Sequence, residues 1–177
     1  MSNTTTDTPQ DYLDLEAVIR EQERLLTVES FDDTDAWKLG QTLVRRIQEQ
    51  DIDLAAAIFR PNGTLMFAYL TQGAGVSNHE WMRRKFNTVS ACGHSSFRAW
   101  ARWKSSESTP LIDRLAADAD YAVCGGGFPI MTVDGELLAV ALVSALPHAQ
   151  DHRFLSEALA DWRGIEIPPF DQTLQFD

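Results

Sequence analysis

The chain is poor in cysteine, in long apolar runs and, over one stretch, in acid. Cys92 and Cys124 are its two cysteines among 177 residues. That is too few for a disulfide framework and fits a reducing compartment, so both are expected as packed free thiols. No segment approaches the roughly 20 apolar residues of a membrane span, so no membrane partner is expected. The start, Met1–Asp7, is polar and lacks the basic-then-apolar layout of a secretory leader, which makes the cytoplasm the expected location. Lys and Arg number 15 against 26 Asp and Glu, a net charge of −11, and this argues against a nucleic-acid partner, whose phosphates need neutralising.

Acid is missing between Trp81 and Ser106, where Arg83, Arg84, Lys85, Arg98, Arg102 and Lys104 stand without a carboxylate. Taking those six positive charges from −11 leaves −17 for the remainder. Such asymmetry predicts an electrostatically assisted homo-oligomer, a dimer or larger ring. The plainer reading is that these cations pair with acidic faces of the same chain or of a neighbouring subunit.

A hydrophobic fraction of 44% suits one globular domain of ordinary size. Residues 1–10, rich in Ser, Thr, Asn, Asp and Pro, read as a disordered tail, 11–164 as the domain, and 165–177 as a C-terminal tail expected to dock, with a partner subunit as one surface. Leu15, Ile19, Gln22 and Leu26 at helical spacing predict a first helix with Glu16 and Glu23 outward. Asp32, Asp33 and Asp35 cap a second, carrying Trp37, Gly40, Val44 and Ile47. Two apolar runs, 54–59 and 65–70, flank Asn62-Gly63, a tight hairpin turn. Ser77 and Glu80 fit a capping box for a third helix, and Ser95-Ser96 cap a fourth after the break at Gly93. A short helix is expected around 111–117. Strands are then expected at 121–124, 128–133 and 137–143, with a second hairpin turn at Asp134-Gly135, before a last helix from about His148 to Trp162. These elements predict an α+β fold with a central antiparallel sheet of about five strands and helices on both faces.

Several residues suggest chemistry. Gly125-Gly126-Gly127 permits either a tight bend or close approach of a ligand. Asp151 and His152 open the last helix, as cap and packing residue or as an oriented base. His148 and His152 have the spacing of a metal clamp without an H-E-x-x-H pattern, and Cys92 with His94 is a second weak pair. Arg84 and Lys85, with Ser95 and Ser96, would suit a carboxylate or phosphate.

Two blocks carry a resemblance: Asn78-His79-Glu80-Trp81-Met82-Arg83-Arg84-Lys85 through Gly93-His94-Ser95-Ser96, and Gly125-Gly126-Gly127-Phe128-Pro129-Ile130 followed by Ser144 to His152. Over about residues 12–163 the chain resembles the haem-degrading-domain family, in the GlcG- and HbpS-like group, within a cytosolic branch of largely unassigned chemistry. The resemblance implies a profilin-like three-layer α/β/α domain that assembles into dimers or rings, with haem as a candidate cofactor. Cys124 stands where relatives are expected to carry His, and Ala145 and His148 where they carry Gly and Gln; the first of these weakens the haem expectation.

Residues and resemblance together give three readings. The first is a binder of an anionic small molecule in a pocket near Arg84, Lys85, Ser95, Ser96, Gly125, Gly126, Gly127, Asp151 and His152. The second is a non-catalytic oligomeric partner or chaperone-like protein. The third is an enzyme using His152 as general base, without an accompanying nucleophile or metal cluster.

Overall fold

A computed structural model describes residues 7–170. Six helices and four strands follow in the order α1 (Pro9–Leu25), α2 (Asp33–Gln50), β1 (Ala55–Phe59), β2 (Leu65–Leu70), α3 (Val76–Cys92), α4 (Ser96–Lys104), α5 (Pro110–Ala117), β3 (Gly127–Met131), β4 (Leu137–Ser144) and α6 (His148–Arg163). The sheet runs β2-β1-β4-β3 with every neighbour antiparallel. Both hairpin turns form where expected. Gly63 and Gly135 take positive φ of 85° and 89°, and the Arg60 and Thr132 carbonyls accept their N–H groups.

Alternation along the strands builds two cores. Ala56, Ile58, Ala141, Val143, Phe128 and Ile130 face Leu39, Leu43 and Ile47 of α2 and Phe154, Leu155 and Leu159 of α6. On the other face Ala55, Ala57, Val140 and Leu142 meet Met82 and Val89 of α3. Each fully buried Leu or Ile contributes about 1.5–3 kcal/mol relative to exposure. A third cluster joins α1 to α4 through Leu15, Ile19, Phe97 and Trp100.

The sheet has four strands, not five. Residues 121–124 are irregular because α3 takes their backbone groups: Ala122 N–H donates to the Arg84 carbonyl (3.2 Å) and to Thr88 Oγ1 (3.0 Å), and Thr88 Oγ1 donates to the Ala122 carbonyl (3.0 Å). Val28 adds only an isolated parallel bridge to Thr132 beyond β3. Strand β2, as apolar as β1, lies at the open edge and is half-exposed.

Other boundaries shift for local reasons. Within the stretch expected to be a disordered tail, residues 1–6 lie outside the described residues, but α1 begins at Pro9, capped by Thr8 and Asp11. Helix α3 starts one residue before Ser77, at Val76, with the Asn78 side chain accepting from Gly75 N–H (3.0 Å). Glu16 and Glu23 turn inward, to Arg98 on α4 at 2.6 and 2.7 Å. The described part of the C-terminal tail docks on its own chain: Gln22 Nε2 donates to the Pro168 carbonyl (2.8 Å), and Phe170 is buried in the α1–α4 cluster. Residues 171–177 lie outside the described residues.

Candidate functional site

The conspicuous basic stretch, split between α3 and α4, is largely neutralised within the chain. Arg98 binds Glu16 and Glu23, Arg83 binds Glu80 (2.7 Å) and Asp120 (3.1 Å), and Arg102 lies 4.0 Å from Glu16 and from Glu107. Acid from α1 thus answers the cations of α4, and the contrast of +6 against −17 is consumed mostly inside one subunit.

Lys85 points into the interior. Its Nζ lies 2.8 Å from Asp151 Oδ2 and 2.9 Å from the Val143 carbonyl, and Lys85 is 2% exposed. Asp151 Oδ1 accepts from Leu146 N–H (3.1 Å). Burial holds the Asp151 carboxyl above the usual carboxylate range, and the Lys85 ammonium offsets only part of that rise. The pair joins α3, the end of β4 and the start of α6, and its charges answer each other.

The glycine run is the junction these elements squeeze. A Cβ on Gly125 would collide with the His148 carbonyl. One on Gly126, whose φ is +111°, would lie 2.5 Å from Lys85 Nζ and 2.5 Å from the Val143 carbonyl. Gly127 N–H donates to Ser96 Oγ (3.0 Å), a buried hydroxyl at the start of α4. Ser95 caps α4 by accepting from Arg98 N–H (3.3 Å), while its own N–H donates to Glu23 (2.8 Å). Both serines therefore hold structure together. His152 is buried among Phe97, Phe128 and Phe170. Its Nε2 lies 2.9 Å from Gln22 Oε1, and burial pushes its pKa down to about 3. An imidazole this resistant to protonation, with no exposed surface, is a poor general base at neutral pH.

Against the outer side of the Lys85–Asp151 pair lies a cavity of about 590 Å³, within the size range of small-molecule sites. Trp81 and Arg84 of α3, Trp100, Trp103 and Lys104 of α4, and Tyr121 line it, with Cys124, Ser144 and His148 beside the ion pair. Spacing of three along each helix sets Trp81 beside Arg84 and Trp100 beside Trp103. The Arg84 guanidinium lies 4.5 Å from the Trp81 ring centroid, and its Nε donates to the Tyr121 carbonyl (3.1 Å). Lys104 Nζ lies 5.8 and 5.6 Å from the Trp100 and Trp103 rings. Trp81 and Trp103 remain 43% and 42% exposed, unusual for the largest apolar side chains.

Of the nine residues anticipated, Arg84, Lys85 and Asp151 line the cavity. Ser95, Ser96, the three glycines and His152 are not among its lining residues. The tryptophans, Lys104 and Tyr121 were missed, although the repeated spacing of Trp81 to Arg84 and Trp100 to Trp103 was a usable signal. Cys92 Sγ donates to the Thr88 carbonyl (2.9 Å) and lies 3.5 Å from His94 Nδ1. Burial raises that thiol to about 11 and lowers His94, so the pair is packed rather than activated. Among the described residues no three His, Cys, Asp or Glu side chains cluster as a metal site, and no helix is long and apolar enough to cross a membrane.

The fold and site define an α+β cavity domain: a four-stranded antiparallel sheet between helices, with an aromatic and cationic hollow on the α3 side. The chain belongs to the HbpS-like haem degrading protein family, whose model matches residues 31–160. It is 34% identical over 147 residues to UPF0303 protein YE1367 of Yersinia enterocolitica, covering 82% of this chain and 86% of that one. Among solved structures it is similar to Ybr137w protein, with a TM-score of 0.74 and 25% identity over 84% of this chain and 87% of that one. The PduOC–haem complex shares the fold at a TM-score of 0.59 and 18% identity, over 80% of this chain and 99% of that one.

Proposed function

We propose that the chain binds a flat, conjugated anion in the cavity between α3, α4 and residues 121–124, with a haem-like tetrapyrrole as the leading ligand. One observation carries this reading: three tryptophans and a tyrosine wall a hollow that also holds Arg84 and Lys104, besides the Asp151-paired Lys85. Indole faces suit a conjugated plane, and guanidinium and ammonium groups suit its carboxylates. The family description and the haem complex of the PduOC neighbour support a tetrapyrrole. Lys85, also expected to meet the anion, lies paired with Asp151 at the cavity floor. Stepwise addition of haemin should quench tryptophan fluorescence saturably. Arg84→Ala and Lys104→Ala should each weaken binding by up to about tenfold, near 1.4 kcal/mol, and salt should reproduce part of that loss. Absence of saturable quenching would overturn the proposal.

A second observation favours self-association. The edge strand Leu65-Met66-Phe67-Ala68-Tyr69-Leu70 has neither charge nor proline, the usual guards of an open edge. Thr71 N–H donates to the Leu54 carbonyl (3.2 Å), so by alternation Ala68 and Leu70 direct their backbone groups outward. A two-fold axis at Ala68 would pair two copies antiparallel and set Phe67 opposite Tyr69 of the second copy, an aromatic pairing that stabilises sheets. Trp37, 59% exposed and packed edge-on against Phe67, would extend the contact. This supports a dimer joined through β2 rather than through the basic stretch of α3 and α4.

A further inference from the structure

The cavity contains side chains that ligate metals elsewhere, and their arrangement here is informative. His148 lines it at the start of α6, but its Nδ1 faces Gly125 N–H at 3.3 Å. A backbone N–H can only donate, so Nδ1 presents its lone pair there and the ring proton resides on Nε2. Metal-bound imidazoles show the reverse pattern: the ligating nitrogen is bare, and the other donates its N–H to a carbonyl or carboxylate. Reorientation is opposed on two sides. The ring is packed edge-on against Trp100 and Phe97, at 4.6 and 5.3 Å between centroids, and Gly125 is pressed against the His148 carbonyl.

The remaining candidates are no better prepared. Cys124 is half-buried at the cavity wall, desolvation raises its thiol, and a thiol binds iron as thiolate. Tyr121 has no hydrogen-bonded base at its hydroxyl among the described residues. Asp151 is held by Lys85 and Leu146 N–H, and His152 is turned away to Gln22.

We infer that the cavity grips its ligand through the conjugated plane and the anionic side groups, and that no protein atom ligates a metal at the ligand's centre. This rests on the tetrapyrrole reading above and narrows it: the site discriminates by ring and charge, so metal-free and metal-bearing rings are equivalent to it. Iron coordination does not fit these residues, and no step is routed through it.

The test compares haemin with metal-free protoporphyrin IX on the wild-type full chain, by tryptophan quenching. Their dissociation constants should agree within about threefold, since a lost axial bond would show as a difference of tenfold or more. The visible spectrum of the haemin complex should not change in Cys124→Ser, His148→Gln or Tyr121→Phe. Tight binding of haemin with none of protoporphyrin IX would overturn this inference while leaving the tetrapyrrole reading standing, as would a spectral change confined to one of those variants. Failure of both rings to bind would overturn the two together. The wild-type comparison needs no variant to fold.

Discussion

Lys85 Nζ and Asp151 Oδ2 are 2.8 Å apart with both side chains almost wholly buried, in a pair spanning 66 residues of sequence. Removing one member strands the other charge away from water. Lys85→Ala should therefore destabilise the protein by about 3–5 kcal/mol. The double variant Lys85→Met with Asp151→Leu should recover much of that loss. Urea unfolding of the single and double variants checks both statements, and strict additivity would refute the coupling.

Acid sensitivity should trace to His152. Its folded-state pKa of about 3 lies below the ordinary 6.5, so the unfolded chain binds a proton across that window and the folded chain does not. Stability from this group is complete above pH 6.5 and falls as the pH drops toward 3, by about 1.4 kcal/mol per pH unit at most. His152→Gln should flatten the slope of stability against pH by close to one proton, measured by denaturant melts at several pH values.

Gly126→Ala should be among the costliest single-methyl additions. The backbone at φ +111° disfavours any L side chain, and the added carbon would push on Lys85 Nζ and the Val143 carbonyl. A backbone penalty of about 1–3 kcal/mol is expected before the displacement of the ammonium is counted. Thermal unfolding should show a drop of several degrees. A neutral effect would mean that the ion pair relocates freely.

At the sheet edge, light scattering at micromolar concentration should find a dimer. Ala68→Lys should give a monomer with an unchanged circular dichroism spectrum, because Ala68 is exposed and charge on an edge opposes strand addition. A monomeric wild-type protein would remove this interface.

Local chemistry was legible in the sequence and distant pairing was not. Asn62-Gly63 and Asp134-Gly135 specify their turns through positive φ, which neighbours alone determine. Ser95 declared itself as a helix cap in the same way. Tyr121-Ala122-Val123-Cys124 has the composition of a strand, yet the Thr88 hydroxyl and the Arg84 carbonyl, over 30 residues away, claim its backbone. Convergence of Lys85, the glycines and Asp151 was anticipated. The ion pair itself was not, because which α6 side chain arrives opposite a buried lysine is set by packing between distant elements. Glu16 and Glu23 looked solvent-facing for the same reason: their partner Arg98 lies on another helix.

Arg84 and Lys85 are consecutive, and the chain uses them at different depths. The lysine is moored between α3, β4 and α6, so the neighbouring guanidinium is presented at a fixed height and angle over Trp81, with Tyr121 as a second tether. Lys104, the final residue of α4, sits where a helix frays most readily. A ligand arriving in the cavity would meet one cation fixed from behind by a buried ion pair and another held over indole rings at a helix end. Any adjustment to the ligand's shape would then fall on α4 rather than on α3, whose Arg84 is moored by its neighbour.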